Sequence, residues 1–343
     1  MKIVLFGPDQ RVGAIHDGRL VVDLSLAHAK LLHERDGEPH APEKAAVQVP
    51  SDLAGFIEKG DAAIDAARQS IERLFQHAHD QRAPRGETIV HPIESVRLHA
   101  PRAKDARIAC AGGNFADHHL AMAQRRPGGK KEAAELTLQG VGDSIRAAGF
   151  WGFWKVDRTC PGPGDAVSYP ARAKYFDYEG EAAIVIGRQG KNIRAQDWNS
   201  YVWGVTLMCD WSIRQSPESG RMNFAMSKNF DGSCSLGPCI LVGADAANID
   251  VITEVSGERR QAYNTRDMVF SFGECLAFLS QDLTLYPGDI ISGGTAAGTA
   301  QDSSPLIGDG LLAPERFLKV GDVVEISSPQ IGTLRNMIAA PGA

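Results

Sequence analysis

Histidine is missing from residues 120–343, because all ten histidines lie at or before His119. An all-His or His/Cys zinc centre is thereby excluded from that part of the chain. Any imidazole acting there has to come from His118, His119 or the leading segment. No C-x-x-C pair occurs among the six cysteines, Cys110, Cys160, Cys209, Cys234, Cys239 and Cys275. Reduced, mostly buried thiols are the expectation, and Cys234 and Cys239 read as packing residues. No long basic block appears either, and 36 basic against 42 acidic residues give a net charge of −6. A nucleic-acid surface needs clustered Lys and Arg, so such a surface is disfavoured and no nucleic-acid partner is expected. The short cluster Arg125, Arg126, Lys130 and Lys131 reads as a solvated face. No apolar run approaches the roughly 20 residues that span a bilayer. The N-terminal run stops at Phe6, short of a signal-peptide core. A cytoplasmic protein with no membrane partner is expected.

What is present is an ordinary globular balance over 343 residues, 43% apolar and 23% charged. Such a length predicts two units, a small α/β domain over residues 1–100 and a larger, mainly β domain over 101–343. Lys2–Phe6, Arg11–His16 and Leu20–Leu24 read as strands, with Asp17-Gly18 as a hairpin turn. Ala63, Ala66, Ala67, Ile71, Leu74 and Phe75 follow helical spacing, with Asp61 as the expected cap. Beyond Val96, Gly164-Asp165, Gly288-Asp289 and Gly321-Asp322 each precede a β-branched run, the signature of a strand entry. Residues 117–150 break the pattern. They read as an inserted helix over Lys130–Leu138 between glycine joints, either a lid over a site or a surface insertion.

The strongest local signal is Asp177-Tyr178-Glu179-Gly180-Glu181, ahead of the apolar run Ala182–Ile186. On a strand, residues i and i+2 share a face, which sets Glu179 beside Glu181. Two carboxylates that close repel unless one is protonated or a cation lies between them. Asp210, at the end of the apolar run Trp203–Cys209, supplies a third. An E-x-E pair alone is better explained by rim carboxylates with water or arginine partners. The third acid brings a hard divalent cation with oxygen ligands level with that explanation.

Five stretches in one order resemble the C-terminal domain of the fumarylacetoacetate hydrolase family over roughly residues 100–338. They are Gly112-Gly113-Asn114-Phe115-Ala116-Asp117-His118; Asp177–Glu181; Asp210-Trp211-Ser212-Ile213-Arg214; Lys228-Asn229-Phe230-Asp231 with Leu236-Gly237-Pro238; and Gly288–Gly294 running into Thr295. The resemblance implies an α+β, mainly β fold, a mixed β-roll behind a small α/β leader, and a homodimer. It implies Mg²⁺ or Mn²⁺, with Ca²⁺ as a further option, on Glu179, Glu181 and Asp210. It also implies a small 2-oxo or diketo acid as substrate. Arg214 is then a substrate-carboxylate clamp or an ion-pair partner of Asp177 or Glu179. Lys228 is an oxyanion stabiliser, and Gly294 and Thr295 a carboxylate seat. Phe115 and Tyr178 are pocket lining or core, and His118 is the general base.

The sequence departs from the hydrolytic members at Ala121, where their helix carries a glutamate that orients the histidine. Asp117, Glu132 and Glu135 are the candidate replacements. Three functions follow: a C–C hydrolase of an acylpyruvate or diketo acid as the leading expectation; an isomerase, decarboxylase or lyase on a similar 2-oxo acid; and a binding protein that keeps the fold. Asp210→Ala is expected to remove the metal without unfolding the chain.

Overall fold

The computed structural model describes residues 1–77, 81–125, 134–214, 223–307 and 311–342. Three leading strands, Lys2–Phe6, Arg11–His16 and Leu20–Asp23, form an antiparallel meander. Asp17 and Gly18 both take the left-handed backbone, φ 49° and 70°, that a tight hairpin turn needs. Asp23 ends the meander and starts a helix over Leu24–Asp36, its carboxylate accepting from the Leu26 amide at 3.0 Å. Helices Ala41–Gln48, Leu53–Glu58 and Gly60–His77 follow. The last begins at Gly60, so Asp61 stands inside its first turn and not at the cap position expected from sequence.

The first strand also pairs with Cys234–Val242, placing Ile3 opposite Ile240. The leading strands thereby extend a large sheet. It continues through Val202–Asp210, Gly180–Ile186, Ile290–Ser292, Ile108–Ala111 and Gly152–Lys155. A second sheet holds Glu258–Asn264, Asp250–Val255, Val323–Ser328, Gly332–Ala339 and Ala166–Ser168, in that order. Ile184, Val205 and Leu207 of the first sheet share one core with Val251, Ile326 and Leu334 of the second. Val185 and Met208 face the other way, onto Phe56 and Ile57 of the helical layer. Strands covered on both faces read as unbroken apolar runs, which explains Ala182–Ile186. The architecture is the α+β, mainly β roll that the resemblance implied. The strand entries at Gly164, Gly288 and Gly321 carry φ of 82°, 92° and 95°, which accounts for glycine at all three.

Residues 117–150 differ from expectation. Helices span Ala116–Gln124 and Leu138–Ala148, while Arg126, Lys130, Lys131 and Glu132 lie outside the described residues. Gly140 and Gly142, read as joints, sit within the second helix. Thr137 caps that helix, its hydroxyl accepting from the Gly140 amide at 3.1 Å. Leu138, Val141, Ile145 and Ala148 give it one apolar stripe. Among the described residues no helix is long and apolar enough to cross a membrane.

Gly180 opens the central strand where no side chain fits, since a Cβ there would lie 2.0 Å from Thr253 Oγ1. Gly180→Ala is expected to destabilise the fold by about 1–3 kcal/mol through overpacking, visible as a lower Tm. An unchanged Tm would contradict the tight approach of the two sheets.

Candidate active site

The antiparallel register sets Gly180 opposite Cys209 and Glu181 opposite Met208. The Asp210 amide then donates to the Glu179 carbonyl at 2.9 Å, so Glu179 and Asp210 face one another at the strand ends. One carboxylate oxygen from each of Glu179, Glu181 and Asp210 falls within 4.8 Å of the others, and all three residues are buried. Buried cations surround this group. Lys228 Nζ donates to Glu179 at 2.6 Å and to Asp210 at 2.7 Å. Lys155 pairs with the other Asp210 oxygen and donates to the Lys228 carbonyl at 2.7 Å. Arg214 pairs with Glu179, and its Nε donates to Asp177 at 2.9 Å. Asp177 is fixed in turn by the Ala300 amide at 2.8 Å and the Gln301 amide at 3.1 Å.

Glu181 stands apart in this network. Among the described residues its carboxylate takes the Ser292 hydroxyl but no ammonium or guanidinium. Burial, together with the charges of Asp210 and Glu179, pushes its pKa well above the usual carboxylate range. Glu179 is held below that range: burial opposes its charge, but Lys228 and Arg214 outweigh it. Three buried carboxylate donors, one without a cationic partner among the described residues, make an oxygen-only set. The donor set is of the kind that suits Mg²⁺ or Mn²⁺, and in this structure Lys228 Nζ itself bridges Glu179 and Asp210 while Lys155 holds the other Asp210 oxygen.

Glu179 and Glu181 line a cavity of about 570 Å³ together with Lys228, Arg214, Thr295 and His118. His118 comes from the Ala116–Gln124 helix, and its Nδ1 lies 2.7 Å from Asp302 Oδ2. Asp302 belongs to a short helix, Ala300–Ser303, where its carboxylate also accepts the Gly298 amide at 3.1 Å. The carboxylate partner absent at Ala121 is thus supplied from a distant part of the chain. Asp117 accepts from the His118 amide, not its ring, Glu135 is exposed, and Glu132 lies outside the described residues. His119 also lines the cavity, its Nε2 against the Gly113 backbone, and burial lowers its pKa.

Arg214 is in the ion pair with both Asp177 and Glu179, the alternative to a free substrate clamp. The Thr295 hydroxyl donates to the Gly180 carbonyl at 3.0 Å and accepts from Gln261 at 2.8 Å, which ties the cavity wall to the second sheet. Gly294 lies next to it, against the Ala111 carbonyl. Phe115 and Tyr178 stand outside the cavity wall. Phe115 packs edge-on against Tyr263, with ring centres 4.9 Å apart, and the Tyr178 hydroxyl donates to the Gly298 carbonyl. Sequence reasoning missed Lys155, Ser292, Gln301 and Asp302. For Lys155 a signal existed, a lone lysine closing the run Gly-Phe-Trp-Lys, which a buried ion pair explains. For Asp302, within Thr299-Ala300-Gln301-Asp302-Ser303, none did.

This fold and this carboxylate-lined cavity define a class, and comparison with known proteins agrees. The family described as fumarylacetoacetate (FAA) hydrolase C-terminal matches residues 107–339. The chain belongs to the fumarylacetoacetate hydrolase family. It is 31% identical over 332 residues to oxaloacetate tautomerase YisK of Bacillus subtilis (strain 168), covering 95% of each chain. It is 30% identical to the mitochondrial oxaloacetate tautomerase Fahd2a of Rattus norvegicus, over 84% of this chain and 80% of that one. Among solved structures it resembles a fumarylacetoacetate hydrolase from psychrophilic Exiguobacterium antarcticum, with TM-score 0.68, 26% identity and 99% of both chains covered.

Proposed function

We propose that this chain is a divalent-metal-dependent isomerase that interconverts the keto and enol tautomers of a 2-oxo acid. The observation that carries the reading is the hydrogen bond that Asp302 accepts from His118, which stands on the wall of the cavity that Glu179 and Glu181 line. The names of the relatives support tautomerisation over the C–C hydrolysis expected first from sequence.

Asp302 accepts the Nδ1 proton of His118, which leaves the Nε2 lone pair as the proton acceptor. In the keto-to-enol direction His118 takes a proton from the carbon beside the carbonyl. The new imidazolium is stabilised by Asp302, and the same proton is then given to the carbonyl oxygen. A Mg²⁺ or Mn²⁺ ion on Glu179, Glu181 and Asp210 would act as a Lewis acid on the oxygens of the 2-oxo acid. Lys228 and Arg214 hold Glu179 in its position, and Lys155 and Lys228 do the same for Asp210. The reaction needs no water nucleophile. The homodimer expected from the family resemblance belongs to the same proposal.

The test is product analysis by mass spectrometry and ultraviolet absorbance, with oxaloacetate and acetylpyruvate as substrates and Mn²⁺ present. Enol ultraviolet absorbance that relaxes faster than in buffer, with no change of mass, is the expected outcome. Release of two acids would return the chain to the hydrolases, and CO₂ would make it a decarboxylase.

A further inference from the structure

The cavity has two unlike ends. One carries the carboxylates, His118 and Thr295. The other is walled by Trp151, Phe153, Phe224, Leu136, Val141 and Ile145. The aromatic part is a connected cluster, since Phe224 meets the Trp151 ring edge-on at 5.1 Å and the Phe153 ring at 5.4 Å. Its seat is built into the backbone. A Cβ on Gly112 would lie 2.3 Å from the Trp151 ring, so the indole rests directly on a glycine. The two ends adjoin, because Lys228 Nζ, which bridges Glu179 and Asp210, lies 5.4 Å from the centre of the Phe153 ring. Trp151 and Leu136 are nonetheless 43% and 47% exposed. Large apolar side chains left open around a cavity mark a binding surface.

Resting on the isomerase reading above, we propose that the substrate is a 2-oxo acid bearing an apolar aryl or long alkyl group. The 2-oxo acid head lies at Glu179 and Glu181, and the apolar group lies against Trp151, Phe153 and Phe224. A cavity of about 570 Å³ is of the size that buries drug-sized ligands, and a bare four-carbon acid fills only part of it. The two cations on its wall, Arg214 and Lys228, are engaged by Asp177, Glu179 and Asp210. Ser144, His119 and Gln301 also line the cavity, but among the described residues its wall offers no arginine or lysine free to pair with a second carboxylate, and the aromatic end offers stacking and apolar contact.

The experiment measures both turnover and calorimetric binding of methyl-, butyl- and phenyl-substituted acylpyruvates on the Mn²⁺-loaded enzyme. The phenyl compound is expected to bind at least about 10-fold more tightly than the methyl compound, with a matching gain in kcat/KM. Trp151→Ala should collapse the phenyl-to-methyl ratio toward one, and Phe224→Ala should lower it in the same direction should the first variant fold poorly. A wild-type ratio of one or less overturns the inference, as does a ratio that survives both substitutions. Tight phenyl binding without turnover of any compound would sustain the inference while removing the isomerase reading. Turnover with no size preference would do the reverse.

Discussion

Glu181→Gln is expected to abolish Mn²⁺ and Mg²⁺ binding and to lower kcat/KM by about 10³-fold or more, the equivalent of several kcal/mol of Lewis-acid stabilisation. The folded protein should lose no stability and is expected to gain some. Glu181 is buried with only a hydroxyl donor, between two carboxylates that repel its charge. A neutral amide of the same shape keeps the hydrogen bond with Ser292 and removes the repulsion. Tm in the absence of metal should stay level or rise, while the rise in Tm that Mn²⁺ gives the wild type should vanish. A variant that binds Mn²⁺ as the wild type does would remove Glu181 from the ligand set. Asp210 carries ion pairs that the expectation drawn from sequence did not include. It is the partner of both Lys155 and Lys228, and all three groups are buried. Asp210→Ala leaves two ammonium groups short of a partner, so it should cost about 3–5 kcal/mol of stability as well as the metal. It is the poorer probe for that reason.

The second large effect is expected at Asp302. Asp302→Asn should lower kcat by about 10²–10³-fold, with Mn²⁺ affinity and KM within about threefold of wild type. Asparagine offers His118 Nδ1 one neutral acceptor or a donor, so the imidazole loses both its fixed tautomer and the charge that stabilises its protonated form. His118→Ala should fall at least as far, and the double variant no further than His118→Ala alone, because the two act as one unit. Steady-state kinetics on the four proteins checks this. Additive losses would show that Asp302 shapes the cavity instead of serving His118.

The fold was legible where sequence signals were local. The hairpin at Asp17-Gly18, the three Gly-Asp strand entries and the doubly buried Ala182–Ile186 run all follow from turn chemistry and apolar patterning. The carboxylate cluster was legible too, because two of its members sit two residues apart and the third closes an adjacent strand. The helix over Leu138–Ala148 was not. Its two glycines outweighed an apolar stripe and a threonine cap that tertiary packing favours. Asp302 and Lys155 were hidden for a different reason. Each acts on a residue far away in the chain, His118 and Asp210, and only the packing of the sheets creates those pairs.

The most direct test of the account follows deuterium. In D₂O, proton NMR reads the loss of the hydrogens on the carbon beside the carbonyl of a 2-oxo acid that the enzyme binds but does not cleave. Exchange is predicted to be rapid with Mn²⁺-loaded or Mg²⁺-loaded wild type, absent after chelation, and slowed about 10²-fold or more in Asp302→Asn. Exchange at the same rate in the chelated protein, or in a Glu181→Gln and Asp302→Asn double variant, would contradict it.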